Sequence, residues 1–233
     1  MKEMNDKIVI LGARSGTSLM LNLLAATGKF RIWSNGTGRG LYEGMAQEIP
    51  AKQKQRILQL YPDQHAIADT FPDDWTLAKT PTFYFCIPAL IKKFHPKFIV
   101  MDRSLEGRVH SMLNTRSGDS WTVISRKIFS NFPNICLPLT HGIESFNDEQ
   151  WERRFTMGQD ILLELELQDY DQSKILRVDF CEFMHDFSNT MLKVSDFLEI
   201  APGNFPLTWK SMRSKSYMNA SHDPGYWVDG EIP

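Results

Sequence analysis

IVILGARSGTSLM, residues 8–20, joins an unbroken apolar run to a turn of small residues, and an apolar helical pattern resumes at Leu19. Four consecutive apolar residues, Ile8 to Leu11, predict a strand buried on both faces. The run from Leu19 to Ala26 predicts a helix closed by Gly28, a natural residue just past a helix end. A buried strand, a small-residue turn and a helix N-terminus in that order form a cradle for an anion. Ser15, Gly16, Thr17 and Ser18 can present backbone N–H groups and hydroxyls to phosphate oxygens, while Arg14 supplies a bidentate charge. A Walker A loop would read GxxxxGK[ST], but counting from Gly12 the second glycine and the lysine positions hold Thr17 and Ser18. A dinucleotide GxGxxG is also missing. The loop fits a phosphate held without the usual lysine.

The chain has 233 residues, of which 42% are hydrophobic, enough for one sizeable core, so a single domain over 1–233 is expected. A net charge of −2 and a pI near 6.3 argue against a protein that coats nucleic acid by bulk charge. Anion binding must therefore come from local clusters. Cys86, Cys136 and Cys181 are far apart and show no CxxC spacing, so they read as reduced core thiols rather than a disulfide framework or zinc site. The first residues lack a long apolar segment and no stretch approaches the ~18 apolar residues of a membrane span, so a cytoplasmic location is expected.

Along the rest of the chain, 31–44 is rich in Gly, Asn and Ser and reads as a loop, and 45–60 as a polar helix interrupted near Pro50. A helix over Thr82–Phe94 should feed through His95-Pro96 into a strand over Lys97–Met101, ending at Asp102-Arg103. Another helix follows over Leu105–Asn114. Residues 118–147 have no sustained period and read as an irregular insertion able to cover a substrate site. A long helix over Glu149–Leu167, a strand over Lys174–Val178 ending at Asp179, and a helix over Met184–Leu198 come next, before a turn-rich tail at about 211–233. Strands followed by helices predict an α/β fold with a P-loop-like central parallel sheet flanked by helices. Ligands of such sheets sit outside the carboxyl ends of the strands, where Gly12–Ser18, Arg103 and Asp179 all fall.

Here the sequence resembles a known family. ARSGTSLMLNLL is similar to the 5′-phosphosulfate loop, commonly PRSGTTLL, of sulfotransferases that use 3′-phosphoadenosine-5′-phosphosulfate (PAPS). KFIVMDRSLEGRVHSMLN resembles their 3′-phosphate motif, a strand ending in Arg with Ser eight residues later, positions held here by Arg103 and Ser111. WTLAKTP (75–81) is similar to the W..KTP segment of Golgi-type and bacterial members, and ILRVDFCEFMHDFSNTMLKVSDFLEI to their late strand and helix. The likeness spans about 7–115 and 150–200. Ala13 replaces the usual Pro, Arg103 is not followed by the common Asp-Pro, and Pro81 stands where phenol- and steroid-sulfating members carry a catalytic His.

The resemblance implies a sulfotransferase-like fold and transfer of a sulfuryl group from PAPS to a hydroxyl or amine acceptor, whether small molecule, saccharide or peptide, without a metal. By that analogy Arg14, Ser15, Gly16, Thr17 and Ser18 hold the 5′-phosphosulfate, Arg103 and Ser111 the 3′-phosphate, and Arg14 and Lys79 meet the charge developing on the leaving oxygen. Glu43, placed only by its loop position, is the implied base, with His110, His141 and Glu144 as alternatives. Bland readings compete: Arg103 as an ion-pair partner of Asp102 or Glu106, Lys79 as a surface lysine at a helix start, and Trp33 and Trp121 as loop residues that pack or line an acceptor pocket. A kinase or NTPase with a degenerate P-loop, or a non-catalytic nucleotide-binding relative, would share the same first loop. Nucleic acid is not an expected partner, no membrane span is expected, and the sequence does not specify an oligomeric state.

Overall fold

The computed structural model describes residues 6–12, 15–25, 27–34, 68–69, 71, 73–79, 86–113 and 147–202. Among these, β1 (Ile8–Leu11) leads into α1 (Thr17–Ala25), followed by β2 (Ile32–Ser34) and β3 (Leu77–Lys79). The helix α2 (Ile87–Phe94), β4 (Lys97–Asp102) and α3 (Leu105–Leu113) come next. The chain continues with α4 (Asp148–Leu167), β5 (Ile175–Asp179), α5 (Phe180–His185) and α6 (Phe187–Leu198). The strands form one parallel sheet in the order β2-β3-β1-β4-β5. The expected α/β fold with a central parallel sheet between helices is therefore the observed one.

The period-2 alternation of the strands divides the core into two layers. Val9, Leu11, Ala78, Phe98 and Val100 pack on one face with residues of α2 and α4. Ile8, Ile10, Leu77, Ile99 and Met101 pack on the other with α1, α5 and α6. Both faces of β1 are covered, which is why its sequence is apolar without alternation. α1 is buried on nearly every side, in keeping with its run of Leu and Met.

Local signals fix several element ends. Asn147 caps α4 by accepting from the Gln150 amide at 2.9 Å, while the Gln150 side chain accepts from the Asn147 amide at 3.1 Å, a reciprocal capping box. The Ser104 hydroxyl accepts from the Gly107 amide at 3.1 Å and opens α3. Asp179 does the same for α5, accepting from the Glu182 amide at 2.8 Å.

Three expectations change. Ile32–Ser34 is a strand rather than loop, so Trp33 lies in the sheet, and Leu77–Lys79 is also a strand, so Lys79 ends a strand instead of opening a helix. Both are three residues long, too short for a periodic signal, and sheet pairing alone defines them. The helix expected over Met184–Leu198 is two helices broken at Asp186, whose φ of −123° and ψ of 57° leave the helical region. The broken turn is satisfied locally, since the Asp186 carboxylate accepts from Asn189 at 2.7 Å. Cys86 is buried as expected, whereas Cys181 is only half-buried. The expectations for residues 45–60, 82–85, Cys136, 118–146 and the tail lie outside the described residues. No helix among the described residues is long and apolar enough to cross a membrane.

One half-buried carboxyl stands apart from the site. Glu166 on α4 lies near the buried Cys86 thiol, its Oε2 has no hydrogen-bond partner among the described residues, and burial pushes its pKa up to about 8. Because the folded chain holds this proton more tightly than the unfolded chain, the stabilising effect is complete below the ordinary value of 4.5. It is lost as pH rises toward 8. Urea unfolding at pH 5.5 and 8.5 should show wild type losing on the order of 1 kcal/mol more than Glu166→Gln over that interval, after discounting for the group's partial exposure.

Candidate active site

Strand register assembles the carboxyl edge of the sheet. Leu11 pairs with Val100, which brings Gly12 level with Met101 on β4. A β-carbon at Gly12 would lie 2.1 Å from the Met101 carbonyl oxygen, and its φ is +115°. Only glycine allows the chain to leave β1 this close to β4. The loop then turns through Gly16, φ +83°, into the first turn of α1, closed by the Met20 amide donating to the Gly16 carbonyl at 3.0 Å. Ser15 and Thr17 are buried, Ser18 is partly exposed, and the N-terminal end of α1 faces the loop. A helix start directs backbone N–H groups and the positive end of its dipole outward.

Lys79 joins this loop from β3. Its register partner is Ile10, so its side chain points to the same face as Ile10, toward α1. The residue is only 3% exposed, and its Nζ donates to the Ser18 hydroxyl at 2.7 Å. Two candidates 61 residues apart in sequence thus meet. A lysine this buried is not an ordinary surface residue.

Arg103 follows β4 on the same side. Asp102 and Asp179 are partners across β4 and β5, so the next residues on each chain, Arg103 and Phe180, are brought alongside. The Arg103 guanidinium lies over the Phe180 ring, 4.6 Å from its centroid. The same ring lies against Gly16, where an added β-carbon would sit 2.8 Å from Phe180 Cδ2. One aromatic ring therefore touches both the first loop and the arginine that ends β4. Sequence reading missed Phe180. Its signal was the matched pair of strands ending in Asp, Asp-Arg on β4 and Asp-Phe on β5, visible only once their register is known.

The acidic residues beside Arg103 are engaged elsewhere. Asp102 points to the α4 face, 3.6 Å from Arg177, which also pairs with Glu164 at 2.8 Å. Burial raises the Asp102 pKa, an effect opposed by Arg177. Glu106 pairs with Arg153 at 2.8 Å.

Ser111 is buried on α3, two turns after Arg103, between Arg108 and Met112. Both neighbours engage α4: Arg108 makes a bidentate pair with Asp160, and Thr156 donates to Met112 Sδ at 3.7 Å. α3 is thereby fixed at both ends of the turn that carries Ser111. His110 is half-buried on the same helix. Arg14, Glu43, His141, Glu144 and Trp121 lie outside the described residues. No group of three His, Cys, Asp or Glu among the described residues is placed to hold a metal.

No protein-family model matches the sequence, and no curated protein matches it. Among solved structures, the sulfotransferase domain from the curacin biosynthetic pathway is similar with a TM-score of 0.54 and 12% identity, over 94% of this chain and 80% of that one. The sulfotransferase domain from the Synechococcus PCC 7002 olefin synthase gives a TM-score of 0.49 at 14% identity, over 86% and 75% respectively. The first likeness defines the chain as having a sulfotransferase-like fold.

The two loop glycines should respond differently to alanine. Gly12→Ala meets a backbone carbonyl that cannot withdraw, and a loss of about 3 kcal/mol or more in urea unfolding is expected. Gly16→Ala meets a side-chain ring that can shift, and a loss of about 1–3 kcal/mol is expected.

Proposed function

We propose that the protein is a sulfotransferase that moves a sulfuryl group from PAPS to a hydroxyl or amine acceptor. The observation that carries this reading is that Lys79, the Gly16 loop and Arg103 converge on one edge of a sulfotransferase-like sheet, linked by the Ser18–Lys79 hydrogen bond and the Phe180 ring. In this reading Arg14 to Ser18 hold the 5′-phosphosulfate, while Arg103 and Ser111 hold the 3′-phosphate. The missing P-loop lysine in the first loop is supplied by Lys79 from a neighbouring strand. That difference favours sulfuryl over magnesium-dependent phosphoryl transfer, whose usual loop carries both the lysine and a metal-binding hydroxyl.

Transfer requires nucleophile, sulfur and leaving oxygen in line, with negative charge growing on the leaving phosphate. Lys79 and Arg14 are the cations assigned to that oxygen, where they stabilise the transition state more than the ground state. The Ser18 hydroxyl orients the Lys79 ammonium before substrate arrives, so little reorganisation is needed. The acceptor gives up a proton as its S–O or S–N bond forms and the bond from sulfur to the phosphate oxygen breaks, releasing adenosine 3′,5′-bisphosphate, and Glu43 is the proposed base. The expected chain is a single domain whose acceptor is small, a saccharide or a peptide.

Calorimetry with the product nucleotide adenosine 3′,5′-bisphosphate tests the binding assignment. Arg14→Ala and Arg103→Ala should each weaken binding by ~1.5–3 kcal/mol, the cost of lost charged hydrogen bonds. Unchanged affinity in both variants would remove the assignment. Lys79→Ala should reduce turnover by about 100- to 1,000-fold in a labelled-sulfate transfer assay while changing nucleotide affinity far less.

A further inference from the structure

We propose that Phe180 is a positioning residue that fixes the Arg103 guanidinium for the 3′-phosphate and sets its spacing from the 5′-phosphosulfate loop. This inference rests on the nucleotide reading above. Phe180 is the first residue of α5, held there by the Asp179 cap, and its ring is 4% exposed. It packs with Met101, Val178, Phe183 and Met184 in the core layer shared with α1. A ring anchored on that side cannot follow a mobile arginine, so the arginine adapts to the ring.

The geometry leaves the arginine useful. The guanidinium carbon lies over the Phe180 ring, 4.6 Å from its centroid, a cation–π contact that holds the group whose N–H donors grip the phosphate in this reading. An unsupported arginine at a strand end would instead sample several rotamers and pay their entropy on each binding event. The ring fills the space a β-carbon at Gly16 would need, 2.8 Å from that position, so ring width sets the separation between loop and guanidinium. Two anion subsites meant for opposite ends of one rigid nucleotide need such a spacer.

Calorimetric titration of the full chain with adenosine 3′,5′-bisphosphate and with adenosine 5′-monophosphate separates this role from general stability. The ratio of the two affinities reports the 3′-phosphate subsite. Phe180→Leu should lower that ratio about tenfold, whereas Phe180→Tyr, which keeps the ring, should restore it to within about twofold of wild type. Combined with Arg103→Ala, Phe180→Leu should lower the ratio no further, because its effect runs through the same guanidinium. If Phe180→Leu does not fold, Phe180→Met is read in the same way. An unchanged ratio in the ring-less variant, or a second tenfold loss in the double variant, overturns the proposal. Wild type that binds no bisphosphate would instead remove the nucleotide reading itself.

Discussion

The contact between Gly12 and the Met101 carbonyl is the constraint from which the site follows. Two neighbouring parallel strands end at the same level, and one chain must turn away at once without room for a β-carbon. That turn leads through Gly16 into the start of α1, whose first N–H groups have no intrahelical partner. A larger residue at position 12 would push the loop outward and carry the helix start with it. The separation between the loop and Arg103 would then no longer be set by the Phe180 ring.

The remaining groups are delivered by register and alternation. Lys79 shares the α1 face because it is level with Ile10, and Arg103 returns to that face because Met101 occupies it two residues earlier. Asp102, between them, falls on the opposite face and meets Arg177. The alternation thus gathers cations on one side and removes the adjacent carboxylate from it. An anion approaching the loop meets the lysine and arginine without the full repulsion of Asp102. Around this edge, the Arg108–Asp160 pair ties α3 to α4, so the helix bearing Ser111 is part of the rigid frame.

Much of the frame was legible in sequence because it rests on strong local signals. Ile8–Leu11 and Phe98–Met101 are apolar runs that only a doubly covered strand explains, and the long helix expected from Glu149 begins one residue earlier, at Asp148. The first loop was legible from its order of strand, glycine and helix. β2 and β3 were not, since three residues show no period and their strand character comes from partners distant in sequence. The buried state of Lys79 was hidden for the same reason. The break at Asp186 depends on one residue's backbone angles and local hydrogen bonds, which an apolar pattern continuous on either side conceals. Phe180 was not legible, because its position opposite Arg103 depends on the alignment of Asp102 with Asp179.

In the proposed function, both phosphate groups of one adenosine nucleotide bind along this single edge of the sheet. A crystal structure of the protein soaked with adenosine 3′,5′-bisphosphate tests it most directly. The 5′-phosphate should lie on the amides of Ser15 to Ser18 near Lys79, and the 3′-phosphate in hydrogen-bond reach of the Arg103 guanidinium. A nucleotide bound elsewhere, or bound at this edge with its 3′-phosphate directed away from Arg103, would contradict it.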